Sequence, residues 1–272
     1  MALNLSIHNL SLAAGTLPEF LPDQIAAAAG AAGFRHVGFT IEPGRWTAEQ
    51  KRRTMAAISQ YELSILDVEV IWIPEGGALT DDHRLIIEAG QELDADHVLV
   101  VSAEPDPERT AAALHQLCAW AAPSDMRICL EFLMITAVQT LDSALDIVTR
   151  CDHPAAGVLI DSLHFQRAGH DIAAIPAIDS KLLPYCQLCD GNLHCLDDFD
   201  SYLEDALDLR AIPGGGQLPI ADLIAALPVA TPFSLEVRSK ALRDSFPDPV
   251  ARAEAVFQQS MAYFKSIGIS VR

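Results

Sequence analysis

Four short apolar runs in the chain end on, or next to, side chains that offer a hard oxygen ligand. Arg127-Ile-Cys-Leu-Glu131, Gly157-Val-Leu-Ile-Asp161, Tyr185-Cys-Gln187-Leu-Cys-Asp190 and Phe233-Ser-Leu-Glu236 bring three carboxylates and one amide to corresponding positions. A lone carboxylate beside apolar residues is expensive to bury, and three that converge repel one another unless a cation neutralises them. Each acid taken alone reads equally well as a helix cap or an ion-pair partner. Their recurrence in four successive runs points instead to one divalent metal ion on Glu131, Asp161, Gln187 and Glu236. The all-oxygen donor set suits Mn²⁺ or Mg²⁺, or Ca²⁺, better than a thiophilic ion.

A metal bound to a substrate carbonyl and its neighbouring hydroxyl polarises the carbonyl and stabilises the enediolate left when an adjacent C–H is deprotonated. Glu131 and Glu236 come from separate runs and are the expected catalytic pair, base and acid on opposite faces of the ligand. Return of the proton to the other face gives epimerisation, and return to the neighbouring carbon gives isomerisation. Departure of a β-hydroxyl gives dehydration. The three outcomes share one intermediate, so the metal site alone does not choose among them.

Such residues need a scaffold that brings strand ends together. Strand-like and helix-like patterns alternate along the whole chain: strands at Leu3–Leu10, His36–Thr40, Leu63–Ile71, Val98–Val101, Arg127–Glu131, Gly157–Asp161, Leu182–Leu188 and Pro232–Val237. Helices are expected at Pro18–Ala32, closed by Gly33, and at Thr47–Tyr61, Asp81–Leu93, Asp106–Ala121, Leu141–Arg150, Ile220–Leu227 and Val250–Ile267. Eight strands, apolar throughout, imply a parallel sheet covered on its outside, and eight closes it into a single-domain (β/α)8 TIM barrel over residues 1–272. An open doubly wound sheet is the alternative. It is disfavoured by the absence of a G-x-G-x-x-G turn after the first strand and of any P-loop.

In a closed barrel the residue at the C-terminal end of a strand points into the mouth. Glu69 on the third strand and His8 on the first alternate with apolar neighbours and are candidate substrate contacts. His164, three residues beyond Asp161, is a candidate donor to a substrate oxygen or proton shuttle, or else a second-sphere group. Arg238 and Lys240 follow Glu236 at the rim, where an anion would be welcome, or pair with surface acids. Gly214–Gly216 could present backbone N–H groups to an anion, though a flexible loop is the plainer reading. Cys186-x-x-Cys189 with His194 and Cys195 is discounted as a zinc site, because Cys186 and Gln187 point to opposite sides of a strand. Trp46, Trp72 and Phe132 are expected as walls of the pocket or core.

Leu-Glu131-Phe, Leu-Ile-Asp161-Ser-Leu-His164-Phe, the long loop ending in Pro213-Gly-Gly-Gly-Gln217-Leu, and Ser-Leu-Glu236-Val resemble the xylose-isomerase-like barrels, which include sugar-phosphate isomerases and epimerases. The resemblance implies that Glu131, Asp161, Gln187 and Glu236 ligate the metal while His164 and Arg210 touch the substrate. The sugar epimerase branches usually carry His where this chain has Gln187. Gly-Val-Leu-Ile-Asp161-Ser-Leu-His164 also resembles 3-dehydroshikimate dehydratases, some of which use Gln there. The leading expectation is an isomerase or epimerase of a sugar, sugar phosphate or related polyhydroxy ketone, with a metal-dependent dehydratase as the alternative.

Composition narrows the partners. With 18 Lys and Arg against 37 Asp and Glu, the formal net charge is −19, which excludes a phosphate-backbone ligand and leaves a small polyhydroxy molecule and a divalent cation. An endonuclease of the same lineage would need more histidine ligands, and a sugar-binding module would not need two acids on a metal. The absence of a leader-like segment, of a membrane-length apolar run and of secreted-type cysteine spacing predicts a cytoplasmic protein with free thiols. Pairing into a homo-oligomer through outer helices is left open.

Overall fold

The computed structural model describes residues 5–195 and 198–271. In chain order its strands are β1 (Leu5–Ile7), β2 (Leu10–Leu12), β3 (His36–Thr40), β4 (Ser64–Ile73), β5 (His97–Ser102), β6 (Arg127–Glu131), β7 (Ala156–Asp161), β8 (Cys186–Leu188), β9 (Phe233–Leu235) and β10 (Ile269–Val271). Strands β2 to β9 pair in sequence order as a closed parallel barrel, with β9 returning to β2. The predicted (β/α)8 architecture is the observed one.

The first strand differs from expectation. Residues 3 and 4 of the expected Leu3–Leu10 strand lie outside the described residues. The remainder divides in two: β1 pairs in parallel with β10 in a separate two-stranded sheet, and the barrel strand begins only at Leu10. His8 therefore precedes the barrel strand at its N-terminal end, exposed and on the opposite side from the mouth. Its expected place as a substrate contact is corrected by this division.

The helices begin where their caps dictate. Thr47 accepts from Gln50 N and caps Ala48–Tyr61, and Asp106 accepts from Glu108 N before Pro107–Ala121. The first helix starts at Pro22, where the missing N–H of proline is harmless, and ends on Gly33 at φ 102°. Among the described residues three α-helices were not anticipated: Ser162–Arg167, Phe199–Asp208 and Lys240–Ser245. Most of the core lies between the barrel and its helices, and a smaller apolar cluster of Leu66, Leu99, Val101, Cys129, Leu159 and Tyr185 fills part of the barrel interior. No disulfide joins Cys118, Cys129, Cys151, Cys186 or Cys189. Among the described residues no helix is long and apolar enough to cross a membrane.

Candidate active site

The alternation of β6 and β7 carries Glu131 and Asp161 to the last inward-facing position of each strand, and the next strand pair sets Gln187 beside Asp161. Glu236 follows β9 directly, and its backbone N–H donates to Leu188 O. Thr16 fixes this segment: its hydroxyl donates to Leu235 O at 2.7 Å and accepts from Val237 N at 2.9 Å, so both neighbours of Glu236 are held. Gly15 lies against the Glu236 carboxylate, where the Cβ of any other residue would collide with it. Glu131, Asp161, Gln187 and Glu236 are all buried.

Arg210 stands between two of these acids. Its Nη1 donates to Asp161 Oδ2 at 2.7 Å and lies 2.9 Å from Glu236 Oε2, while its Nε donates to Ala206 O. Sequence placed this arginine in a long loop; the unanticipated helix Phe199–Asp208 turns it inward and buries it. Asp161 Oδ1 also accepts from Leu163 N and His164 N, capping the short helix that follows. Burial opposes ionisation of Asp161, but Arg210, His164 and these N–H groups outweigh it and hold its pKa below the ordinary value. Burial likewise opposes the charge on Arg210, and Asp161 and Glu236 more than restore it.

The remaining acids are less well served. Burial, with Asp161 and Glu236 alongside, pushes the Glu131 carboxyl well above its usual range, and Glu131 Oε1 has no hydrogen-bond partner among the described residues. Glu69 accepts from Thr40 Oγ1 at 2.9 Å. Burial and the neighbouring Glu236 lift its pKa to about 7 against the pull of Thr40, Arg238 and Arg210.

Helix Phe199–Asp208 supplies a residue that sequence reasoning missed. Tyr202 Oη lies 2.6 Å from His164 Nδ1 and accepts from Met134 N. Arg210 Nη2 is 3.2 Å from His164 Nε2, and a guanidinium can only donate, so Nε2 carries the lone pair and Nδ1 the proton. Burial lowers the pKa of His164 to about 4 despite Asp161, which keeps the ring neutral. The ring thus presents an acceptor, where sequence expected a donor. Tyr202 was detectable as part of the Tyr202, Asp205, Ala206 face that the helix buries at i, i+3, i+4 spacing.

The arrangement fits a divalent cation. Glu131, Asp161 and His164 each offer a ligand atom, all within 4.8 Å of one another. Gln187 Oε1 and Nε2 are buried and, like Glu131 Oε1, lack a partner among the described residues. Four carboxyls, Glu69, Glu131, Asp161 and Glu236, share one fully buried cation, Arg210, so the site has excess negative charge and oxygens to spare.

Other candidates resolve differently. The Gly214–Gly216 turn does cradle an anion, but it is the protein's own: Asp190 accepts from Gly191 N, Gly214 N and Leu218 N. Lys240 pairs with Asp244 on the surface. Arg238 is partly buried beyond Glu236 and near enough to Glu69 to act on its charge; its Nε is buried without a partner among the described residues. Cys186 packs in the outer core while Gln187 faces the lumen, so the Cys-x-x-Cys spacing forms no ligand pair. Phe132 is buried, Trp46 lines a small cleft beside Thr40, and Trp72 is exposed.

Residues 24–267 match the family described as xylose isomerase-like TIM barrel. The 3-dehydroshikimate dehydratase of Pseudomonas aeruginosa is 32% identical over 175 residues, 61% of this chain and 26% of that protein, so the chain spans about a quarter of that relative. Among solved structures, a xylose isomerase-like TIM barrel/4-hydroxyphenylpyruvate dioxygenase fusion protein superposes with a TM-score of 0.76 at 22% identity, covering 98% of this chain and 45% of that one. D-allulose 3-epimerase from Methylomonas sp. superposes with a TM-score of 0.68 at 13% identity, covering 98% of this chain and 100% of that one. These two likenesses show the fold.

Proposed function

The chain belongs to the xylose isomerase-like TIM barrel family, and from that premise we propose that it is a divalent-metal-dependent lyase that removes water from a polyhydroxy ketone bearing an anionic group, of the 3-dehydroshikimate class. The observation that carries this reading is Arg238. At a mouth otherwise dominated by carboxyls, its Nε lacks a partner among the described residues, and a substrate carboxylate would supply one. Its similarity to a curated 3-dehydroshikimate dehydratase supports the same substrate class, and Gln187 agrees with the branch that uses an amide at this position.

Glu131, Asp161, Gln187 and Glu236 would hold the ion, with His164 Nε2 beside them. When bound, the ion would act as a Lewis acid that polarises the substrate carbonyl. Glu131 and Glu236, from strands three apart in the barrel, would be the proton-transfer pair, one of them taking the proton from the carbon next to that carbonyl while the departing hydroxyl takes a proton from an acid of the site and leaves as water. Glu69, held by Thr40 and with its pKa raised to about 7, is our candidate for that acid. Arg210 would keep Asp161 ionised and, through its ion pair with Glu236, orient both acids rather than meet the substrate.

An isomerase or epimerase of a ketose is the second reading, favoured by the same pair of acids on opposite strands. One experiment separates the two. Metal-loaded protein and a Glu236→Gln variant are given 3-dehydroshikimate and, separately, a panel of ketoses in deuterated solvent. New ultraviolet absorbance with 3-dehydroshikimate, lost in the variant and on chelation, is the expected result. Deuterium entering a ketose without that absorbance would replace the lyase with the epimerase. Failure of the protein to bind any divalent ion when supplied would remove both.

A further inference from the structure

One pleat below the mouth lies a second set of polar side chains that the proposed chemistry does not use. Asp67 precedes Glu69 by two residues on β4, Ser234 precedes Glu236 by two, and Tyr185 precedes Gln187 by two, so each points into the lumen beneath a mouth residue. Ser11 on β2 is in register with Ser234. A bulge in β4 explains the inward turn of Asp67: Val37 pairs with Ile65 but Gly38 pairs with Asp67, so Leu66 is the extra residue and the alternation shifts after it. The Asp67 carboxyl lies over Gly38, where a Cβ would come within 2.5 Å of Oδ1, and near Tyr185 and Cys129; burial, with Glu69 and Glu236 nearby, pushes its pKa well above the ordinary value.

Ser11 Oγ, Ser234 Oγ, Tyr185 Oη and both oxygens of Asp67 have no hydrogen-bond partner among the described residues, although all four residues are essentially inaccessible to solvent. A buried polar group left unsatisfied costs about 1–3 kcal/mol. Five such atoms would amount to roughly the whole net stability of a domain, so they are satisfied by something other than side chains. The lining is three hydroxyls and one carboxyl, and the nearest imidazole, His97 against the Tyr185 ring, is kept neutral by burial. Its occupant must therefore both donate and accept, which describes water.

We propose that the barrel floor beneath Glu69 and Glu236 is a binding site for a cluster of ordered waters, anchored by Asp67, Ser11, Ser234 and Tyr185, that holds the two mouth carboxyls from below. Asp67 is then a positioning residue acting through water. The hydration of the floor stands independently of the reaction, whereas its effect on turnover rests on the proposed lyase or epimerase reading.

The test uses the full chain with its metal ion, with wild type, Asp67→Asn, Asp67→Val and the double variant Ser11→Ala/Ser234→Ala side by side. Long-lived internal waters are counted by oxygen-17 relaxation dispersion and located by high-resolution crystallography, and kcat and KM are measured separately. The expected result is waters bonded to Asp67 and the serines in wild type, retained in Asp67→Asn with kcat within about threefold. Asp67→Val loses them, and kcat falls about tenfold or more while KM hardly changes, the range seen when outer-shell support is removed. If Asp67→Val does not fold, the double serine variant carries the same comparison with little change in volume. A dry floor in wild type, or a monovalent cation in place of the waters, overturns the proposal. Loss of the waters with kcat unchanged overturns the positioning role. If wild type turns over none of the substrates, the functional reading fails while the water count still decides the floor.

Discussion

The two halves of the barrel interior are built on different principles. Under Glu131 and Asp161 the lumen is apolar, filled by Leu99, Val101, Cys129 and Leu159, a cluster that the Tyr185 ring and Leu66 extend to the edge of the other half. Under Glu69 and Glu236 it is lined by Ser11, Gly38, Asp67 and Ser234, whose polar atoms find no partner among the described residues. The groups above follow suit. On the apolar side Asp161 is held by two backbone N–H groups and Arg210, and His164 by Tyr202, all through direct hydrogen bonds. On the polar side Glu69 keeps one protein hydrogen bond, to Thr40, and Glu236 leans on glycine and an arginine it shares with Asp161. One half fixes Asp161 and His164 through direct hydrogen bonds. The other gives Glu69 and Glu236 fewer protein partners among the described residues.

The sharpest way to break this contrast is to remove matter from each half. Leu159→Ala should destabilise the protein by about 2–5 kcal/mol, because a well-packed layer cannot collapse around the cavity. Ser234→Ala should stay within about 1 kcal/mol of wild type, since it removes a hydroxyl without a protein partner. Urea unfolding measures both; equal losses would mean that the polar half is packed as tightly as the apolar one.

Next in size is a pH effect at the base of the barrel. His97 is buried, its Nδ1 bonds to Leu66 O, and its ring lies against Tyr185 at 4.5 Å between centroids. Burial lowers its pKa from 6.5 to about 4. Between those values the unfolded chain binds a proton that the folded chain does not, so stability rises with pH across that window. It is lost as pH falls from about 6.5 to 4, by about 3 kcal/mol. Denaturation midpoints of wild type and His97→Gln should converge at low pH, and a parallel pH dependence in the two proteins would exclude His97 as the source.

The smallest effect sharpens the apolar side. Tyr202→Phe removes one of the two partners, Tyr202 at Nδ1 and Arg210 at Nε2, that favour the observed tautomer of His164. It should cost about 1 kcal/mol of stability while nitrogen-15 spectra of the imidazole shift from a pure Nδ1–H form to a mixture. An unchanged spectrum would show that Arg210 sets the tautomer alone.

Much of this was visible in one dimension. The eight strands follow from apolar runs bounded by caps and turns, and the mouth residues from oxygen ligands in successive runs, because a carboxylate is costly inside a strand buried on both faces and is easiest to place at its open end, Asp67 being the exception. Asp67 and Glu69, two residues apart in Ile65-Leu-Asp67-Val-Glu69, were a detectable period-two signal of which only Glu69 was read. His8 was misplaced because one apolar stretch held two strands with different partners, a choice settled by β10 at the far end of the chain.

What the sequence determined by itself was therefore local: periodicity, caps, and the types of side chain at strand ends. Only the tertiary structure decided that Gly15 would make space for Glu236, that Arg210 would turn inward to bridge Asp161 and Glu236, and that Tyr202 would orient His164. These pairs are 221, 49, 26 and 38 residues apart in the chain. Their contacts arise from barrel closure and from a helix inserted in a long connection, neither of which leaves a periodic mark on the residues it brings together.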